Sequence, residues 1–271
     1  MKRKNKAAIS EALKILLGIA MVFPLIIMLI AAFQPKMEIL SVPYHLSVKS
    51  PTLDNFIYTI KYMDLPVYLK NTFIVIAVCV PVQILTSLLA AYAFAFFDFP
   101  LKKTLFTILL MSMMIPGEVV IMTVYKMIIS WDLINTYAAL IITHLVSVGA
   151  VFMFRQNMLS LPRSLWEAAR MDGCGYMRYF AKIMVPLCRT LIVTRVLESL
   201  IAMYNSHLWP LMVTTKNSMR TVQVGIASIV GAEHYGIVLA AACLTLIIPL
   251  AIFIVGLDHI TQGLTAGAVK S

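Results

Sequence analysis

The chain is poor in charge. Of its 271 residues only 13% are Asp, Glu, Lys or Arg, and the acidic ones number just 12. A soluble domain carries about 25% charged residues, so an ordinary soluble globule is excluded. Cysteine is scarce too. Cys79, Cys174, Cys188 and Cys243 stand far apart, with no CxxC pair and no zinc-like spacing. Neither a disulfide framework nor a metal site is expected; small packing residues in or near membrane helices are. Catalytic signatures are also missing. There is no GxxxxGK[ST] phosphate loop, no HExxH, no GxSxG and no DxDxDG calcium loop. His45, His144, His207, His234 and His259 are scattered, and no Ser/His/Asp or Cys/His set assembles. The chain is not expected to be an enzyme. Any uphill transport must draw on an ion gradient or on another chain.

What is abundant is apolar surface. Hydrophobic residues make up 61% of the chain, against roughly 45–50% in soluble domains. The reading is an all-α, polytopic membrane protein, with 1–271 as a single transmembrane domain. Six apolar runs are near the roughly 20 residues that cross a bilayer. They cover about 12–33, 69–97, 104–129, 137–154, 190–213 and 236–257. The first follows Lys2, Arg3, Lys4 and Lys6. A cleaved signal peptide is the rival reading there, and the length of the run favours an uncleaved span. Residues 34–68 read as an external loop with a short amphipathic helix around 53–63. Ile115, Pro116 and Gly117 interrupt the third run.

The net charge of +10 does not indicate nucleic acid, because Lys and Arg flank apolar runs instead of forming one basic face. Six spans place both termini on one side. The basic N-terminus, the Lys102–Lys103 turn and the interval 155–189 then share that side, and the positive-inside rule makes it the cytosol. Residues 214–235 form an external loop, and 258–271 a cytosolic tail. No solenoid repeat is visible, nor a pair of interrupted helices in matching halves, as many secondary transporters have.

The interval 155–189 is the most informative. Pro162 suits a first helical turn, and Ser164 and Glu167 have capping-box spacing. Residues 167–171 are strongly helix-forming. Gly173 can take the left-handed position that ends a helix. A second short helix fits 176–184, and Pro186 opens the return to the membrane. The product is a cytosolic helix–turn–helix with a small-residue face, Ala168 and Ala169, between charges of both signs. It reads either as a docking surface for another protein or as an amphipathic interfacial loop.

The residue pattern decides between them. Glu167-Ala168-Ala169-x-x-Asp172-Gly173, followed by Ile183-x-x-Pro186, resembles the EAA loop of permease subunits in binding-protein-dependent ATP-binding cassette importers. Cys174 stands where Ala is usual, and Val185 where Leu is. Asn205-x-x-Leu208-Trp209-Pro210-Leu211 looks like the end of the fifth helix in the carbohydrate-uptake branch, with Tyr204 in place of the usual Trp. The segment Gly263-Leu264-Thr265-Ala266-Gly267-Ala268-Val269-Lys270 is similar to the tail of maltose-type and glycerol-phosphate-type permeases.

The resemblance implies a six-helix subunit forming half of the path of an ATP-driven importer for a sugar or sugar-like solute. Its implied setting is a prokaryotic plasma (inner) membrane. Implied partners are a second, different permease, two ATPase subunits and an external solute-binding protein. ATP and Mg would be bound by the ATPases, and no cofactor by this chain. The coupling residues would be Glu167, Ala168, Ala169, Asp172, Gly173, Ile183 and Pro186. Gly263, Leu264, Thr265 and Gly267 would lie near the ATPase pair. A gradient-driven secondary transporter, with Glu118, Glu198 and His144 as relays, is one alternative; a non-transporting scaffold is another.

Candidate pathway residues are Glu118, Asn205, His207 and Trp209. Glu118 follows a Pro-Gly break, and an intramembrane carboxylate either lines a cavity or satisfies freed backbone groups. Arg195 and Glu198, three apart, share a helix face and can pair. Trp209 reads either as an interfacial belt residue or as pathway lining with Asn205 and His207.

Overall fold

The computed structural model describes residues 2–42, 47–229, 231 and 234–268. His45 lies outside them. Every regular element among the described residues is helical, as a bilayer demands when backbone polar groups must be satisfied within the segment. In chain order the α-helices are α1 (Lys2–Ala32), α2 (Lys36–Ile39), α3 (Asp54–Tyr62), α4 (Leu65–Phe96), α5 (Lys102–Ser112), α6 (Gly117–Ser130), α7 (Tyr137–Ile141) and α8 (Val148–Ser160). Then come α9 (Ser164–Met171), α10 (Tyr176–Tyr179), α11 (Val185–Leu187), α12 (Arg189–Tyr204), α13 (Leu208–Val213), α14 (Val222–Ala227) and α15 (Tyr235–Ala268).

Four helical stretches are long and apolar enough to cross a membrane: Ser10–Ala32, Leu65–Phe96, Tyr137–Ser160 and Tyr235–Ile254. The pair α5 and α6 makes a fifth if it counts as one span, although its halves bend by 96°. Pro116 supplies the break. It lacks a donor and caps α6 in an extended conformation.

Several boundaries differ from the sequence reading. The fourth run does not stop at 154, because α8 continues to Ser160. Arg155 does not end it: its Nε donates to the Phe94 carbonyl at 3.2 Å, and its guanidinium sits 4.1 Å from the Phe106 ring centre. The fifth run is two helices. Pro210 cannot donate to the carbonyl four residues back, so the chain opens at 205–207 between α12 and α13. The segment 258–268 is not a separate tail; α15 runs through it to Ala268. No proline follows Pro249 in that helix.

The chain divides into two units. One comprises Met1–Pro66 and Gly225–Ile247. Within it, Asn55 binds the Ala32 and Gln34 carbonyls with its amide, both at 2.9 Å, and so ties down the end of α1. The Thr59 hydroxyl reaches the Ile237 carbonyl at 3.3 Å. A Cβ on Gly236 would fall 2.7 Å from the Asn55 amide, so only glycine permits this approach.

The other unit, Val67–Val224 with Ile248–Ser271, holds the features bearing on function. Its apolar centre gathers Ile128, Ala139, Leu140, Trp209 and Val213. Lipid is as apolar as leucine, so helices in a membrane gain from close packing and hydrogen bonds more than from hiding apolar surface. Here Asn71 binds the Ser218 and Arg220 carbonyls, each at 2.9 Å, and accepts from the Tyr137 hydroxyl at 2.6 Å. Asn135 accepts from the N–H groups of Thr215 and Lys216 at 2.7 and 2.8 Å. The root of the loop after α13 is thereby anchored, while its tip, residues 215–218, stays exposed.

Candidate functional site

Two regions of this second unit carry the candidate residues. The first is α9 with its flanks. The expected capping box does not form. Arg163 is the N-cap, in helical conformation, and no side chain caps the helix. Ser164 is already inside it. The far end behaves as the sequence reading expects: Gly173 has φ of 72°. Its N–H reaches the Arg170 carbonyl at 3.0 Å, and that of Cys174 reaches Ala169 at 2.9 Å. These two bonds close a Schellman cap.

One face of α9 is glued down by rings. Trp166 stacks on Tyr176 with centres 4.7 Å apart and meets Tyr179 edge-on at 4.8 Å and Phe96 at 6.4 Å. The Tyr92 hydroxyl donates to the Tyr176 carbonyl at 2.9 Å. Burial pushes the Tyr179 phenol above its ordinary pKa, with proximity to Cys174 adding to the shift. The Cys188 thiol, buried and 3.3 Å from the Asn157 amide oxygen, is pushed up to about 11 by burial.

The opposite face is open. Glu167, Ala168, Asp172 and Pro186 are exposed, and Ile183 is half-buried. Ala169 is not part of an exposed small-residue face; it is buried at 6% exposure, because the ring contacts turn its side of the helix inward. A surface cavity of about 450 Å³ between the end of α4 and α9 has Asp98, Lys102, Arg163 and Glu167 in its wall. Beyond α10 the backbone widens into a π-helical stretch, Phe180–Met184, before α11 and Pro186.

The second region centres on a break in a candidate span. After α7 the chain passes through a short 3-10 turn at Ile142–His144 and leaves helical geometry until α8. Polar side chains of α4 bind the freed carbonyls. Gln83 donates to the His144 carbonyl at 2.9 Å, Thr86 to that of Leu145 at 3.0 Å and Ser87 to that of Ser147 at 3.4 Å. Ser199 donates to the other end of the Gln83 amide at 2.8 Å. Ser147 caps α8 and accepts from Arg195 at 3.2 Å. Arg195 also pairs with Glu198.

Two cavities open here. One of about 270 Å³ is walled by Gln83, Ser147, Arg195, Glu198 and Ser199. The other, about 580 Å³, has Glu118, His207 and Trp209 in its wall. His144 and Ser206 belong to both. Glu118 stands in the first turn of α6, where the helix dipole favours a carboxylate. Among the described residues its side chain has no partner in the chain.

The sequence-derived pathway residues thus separate. Glu118, His207 and Trp209 share one cavity. Asn205 lies outside it, exposed and 3.4 Å from the Gln223 amide. Trp209 is no belt residue: it is buried and its indole donates to the Ala139 carbonyl at 2.9 Å. Its ring joins core to cavity wall. Gln83, Ser147, Ser199 and Ser206 escaped sequence reasoning. The available signal was the four-residue spacing of Gln83 and Ser87 inside an otherwise apolar run, which puts both on one helix face. Of Gly263, Leu264, Thr265 and Gly267, only the helical backbone is described.

Comparison with known proteins decides the family. The model of a binding-protein-dependent transport system inner membrane component matches residues 83–260. The chain belongs to this family. The stretch that defines the transport component includes both regions above. The whole chain is 34% identical to the arabinooligosaccharides transport system permease protein AraQ of Halalkalibacterium halodurans over the full length of both chains. It is 31% identical to the sn-glycerol-3-phosphate transport system permease protein UgpE of Rhizobium meliloti, covering 97% of each. Among solved structures, a bacterial ABC transporter involved in the import of the acidic polysaccharide alginate superposes with a TM-score of 0.83 at 15% identity, over 95% of this chain and 97% of that one. A second alginate transporter structure, in complex with a pentasaccharide-bound periplasmic protein, gives a TM-score of 0.66. Both structural likenesses speak to the fold alone. This transport component is a multi-pass membrane protein.

Proposed function

We propose that this chain is the permease subunit forming half of the translocation path of an ATP-driven importer for a sugar or sugar-like solute, in a prokaryotic inner membrane. The whole of 1–271 acts as one permease domain with six spans, α12 and α13 together supplying the fifth, and both termini in the cytosol. Hydrolysis belongs to two separate ATPase subunits that hold ATP and Mg, and the rest of the path to a second permease. An external binding protein delivers the solute to the side of the 215–218 tip.

The observation that carries this reading is the two-faced α9. Its ring-bearing side is fixed to α4 and α10, so a push on it moves these helices together. Its outer side presents Ala168 and Asp172 exposed, and Glu167 exposed in the wall of the cavity that Arg163 also lines. A helix held rigidly on one side and open on the other transmits rigid-body motion at an interface. Closure of the ATPase dimer supplies the differential contacts that any shift between inward- and outward-facing states needs. The end of α15, with Gly263, Leu264, Thr265 and Gly267, lies near the ATPase pair in this arrangement.

Glu167→Lys tests it. The variant should insert normally, release the copurifying ATPase and lose most uptake. Normal uptake with normal copurification would sink the proposal.

A further inference from the structure

We infer that the half of the path built by this chain admits neutral, hydroxyl-rich solutes and turns anions away. The inference rests on the importer reading and narrows its substrate. Its ground is the charge inventory of the two cavities that share His144 and Ser206. Among the described residues in their walls there is no lysine, and the single arginine is Arg195. That guanidinium is already engaged. It pairs with Glu198, donates to the Ser147 hydroxyl at 3.2 Å, and keeps only 10% of its side chain exposed. Lys126 of α6 is exposed and stands outside both walls.

Each cavity carries one carboxylate, Glu198 in the smaller and Glu118 in the larger. Glu198 leaves 59% of its side chain exposed. Glu118, at the edge of the larger cavity, has no partner among the described residues. A phosphate or uronate meets no unpaired lysine or arginine in either wall: Arg195 and Glu198 offset one another, and Glu118 is left as an unpaired carboxylate among the described residues. Like charges repel strongly where water is thin. A neutral polyol meets something different. The second lone pairs of Glu198 accept hydroxyl protons, and the Ser206 hydroxyl and the His144 ring each donate or accept. The larger cavity, about 580 Å³, falls within the roughly 300–1,000 Å³ of small-molecule sites.

The test uses the complete permease–ATPase complex in lipid nanodiscs without the binding protein, so that only the membrane path is read. Arabinotriose, galactotriose and trigalacturonate serve as probes, with binding followed by saturation-transfer NMR and calorimetry. At least one neutral trisaccharide should bind about tenfold or more tightly than trigalacturonate. Glu198→Gln should weaken that binding about fivefold. Glu118→Gln should bring trigalacturonate within about threefold of the neutral probe. Trigalacturonate binding as tightly as the neutral probes overturns the inference, and so does a complex that binds none of the three. Both comparisons stand on the unmodified chain, whatever happens to the variants. If no ATPase copurifies with the chain, it is the importer reading that has failed.

Discussion

The α9 region and the 142–147 break solve opposite problems. The first is held by rings. Phe96, Tyr176 and Tyr179 pack around Trp166, and Glu167 and Asp172 are exposed. The second is held by hydrogen bonds from side chains of α4 to a backbone that has left its helix, with α12 side chains bonding the side chains of Gln83 and Ser147. Ring stacks resist sliding and keep a helix in one pose. Side chain to backbone bonds are individually weak within a membrane, on average about 0.6 kcal/mol, and exchange partners readily. In the proposed coupling the ring-held region carries the push, and the hydrogen-bonded region changes shape when it arrives.

The largest effect expected from breaking this contrast is at Trp166. Trp166→Ala removes three ring contacts, each worth about 0.5–1.5 kcal/mol. Uptake should fall by more than about tenfold and the ATPase should copurify poorly, whereas Trp166→Phe should recover much of both. If Trp166→Ala docks and transports normally, the rings do not hold the helix.

Gln83→Leu attacks the other region. It orphans the His144 carbonyl and the Ser199 hydroxyl, at about 1–3 kcal/mol for each group left buried and unpaired. The melting temperature of the purified protein should drop visibly, with ATPase copurification retained. Ser199→Ala, which removes one bond, should show a smaller drop.

Gly173→Ala is milder. A Cβ there meets nothing within 4 Å, so the cost is the left-handed backbone alone, about 1–2 kcal/mol. Coupling should weaken and trisaccharide binding at the cavity should not change.

Replacing residues 216–218 with glycine and serine should leave stability within about 0.5 kcal/mol, because the bonds from Asn71 and Asn135 go to backbone atoms that survive the swap. Stimulation of ATPase activity by the liganded binding protein should nonetheless be lost; unchanged stimulation in reconstituted complexes would reduce the tip to a connector.

The smallest perturbation is chemical. Half-buried Cys174 should react with an impermeant maleimide from the cytosolic side at pH 8, and Cys188 should not, since it is buried and its thiolate forms only near pH 11. Mass spectrometry of the labelled chain separates them. Labelling of Cys174 only from outside would invert the topology.

Much of this was readable in residue order. The apolar runs, the Pro116–Gly117 break, the α9 helix and the left-handed Gly173 depend on neighbours within a few positions, where local rules apply. The 142–147 break does not. Nothing in its own residues forbids a helix; the groups that stabilise it sit some 60 positions earlier, at Gln83, Thr86 and Ser87. Arg155 misled for a related reason, since a charge reads as a helix end until a carbonyl and a ring from other helices receive it. Ala169 and Trp209 turned inward because of partners that helical periodicity alone does not name. The cavities combine both limits, drawing their walls from four separate stretches of chain.

The π-helical stretch Phe180–Met184 also bears on how this chain tolerates length changes. A wide turn holds one residue more than the ordinary helix needs between fixed ends. Removing one residue from it tightens the turn to normal pitch and leaves α12, with Arg195, Glu198 and Ser199, in its original rotational phase. The same deletion within α9 or α12 turns everything downstream by about 100°, one residue's share of a 3.6-residue turn. A chain that lost a single residue at 180–184 would therefore keep its cavities, and one that lost a residue within α12 would not.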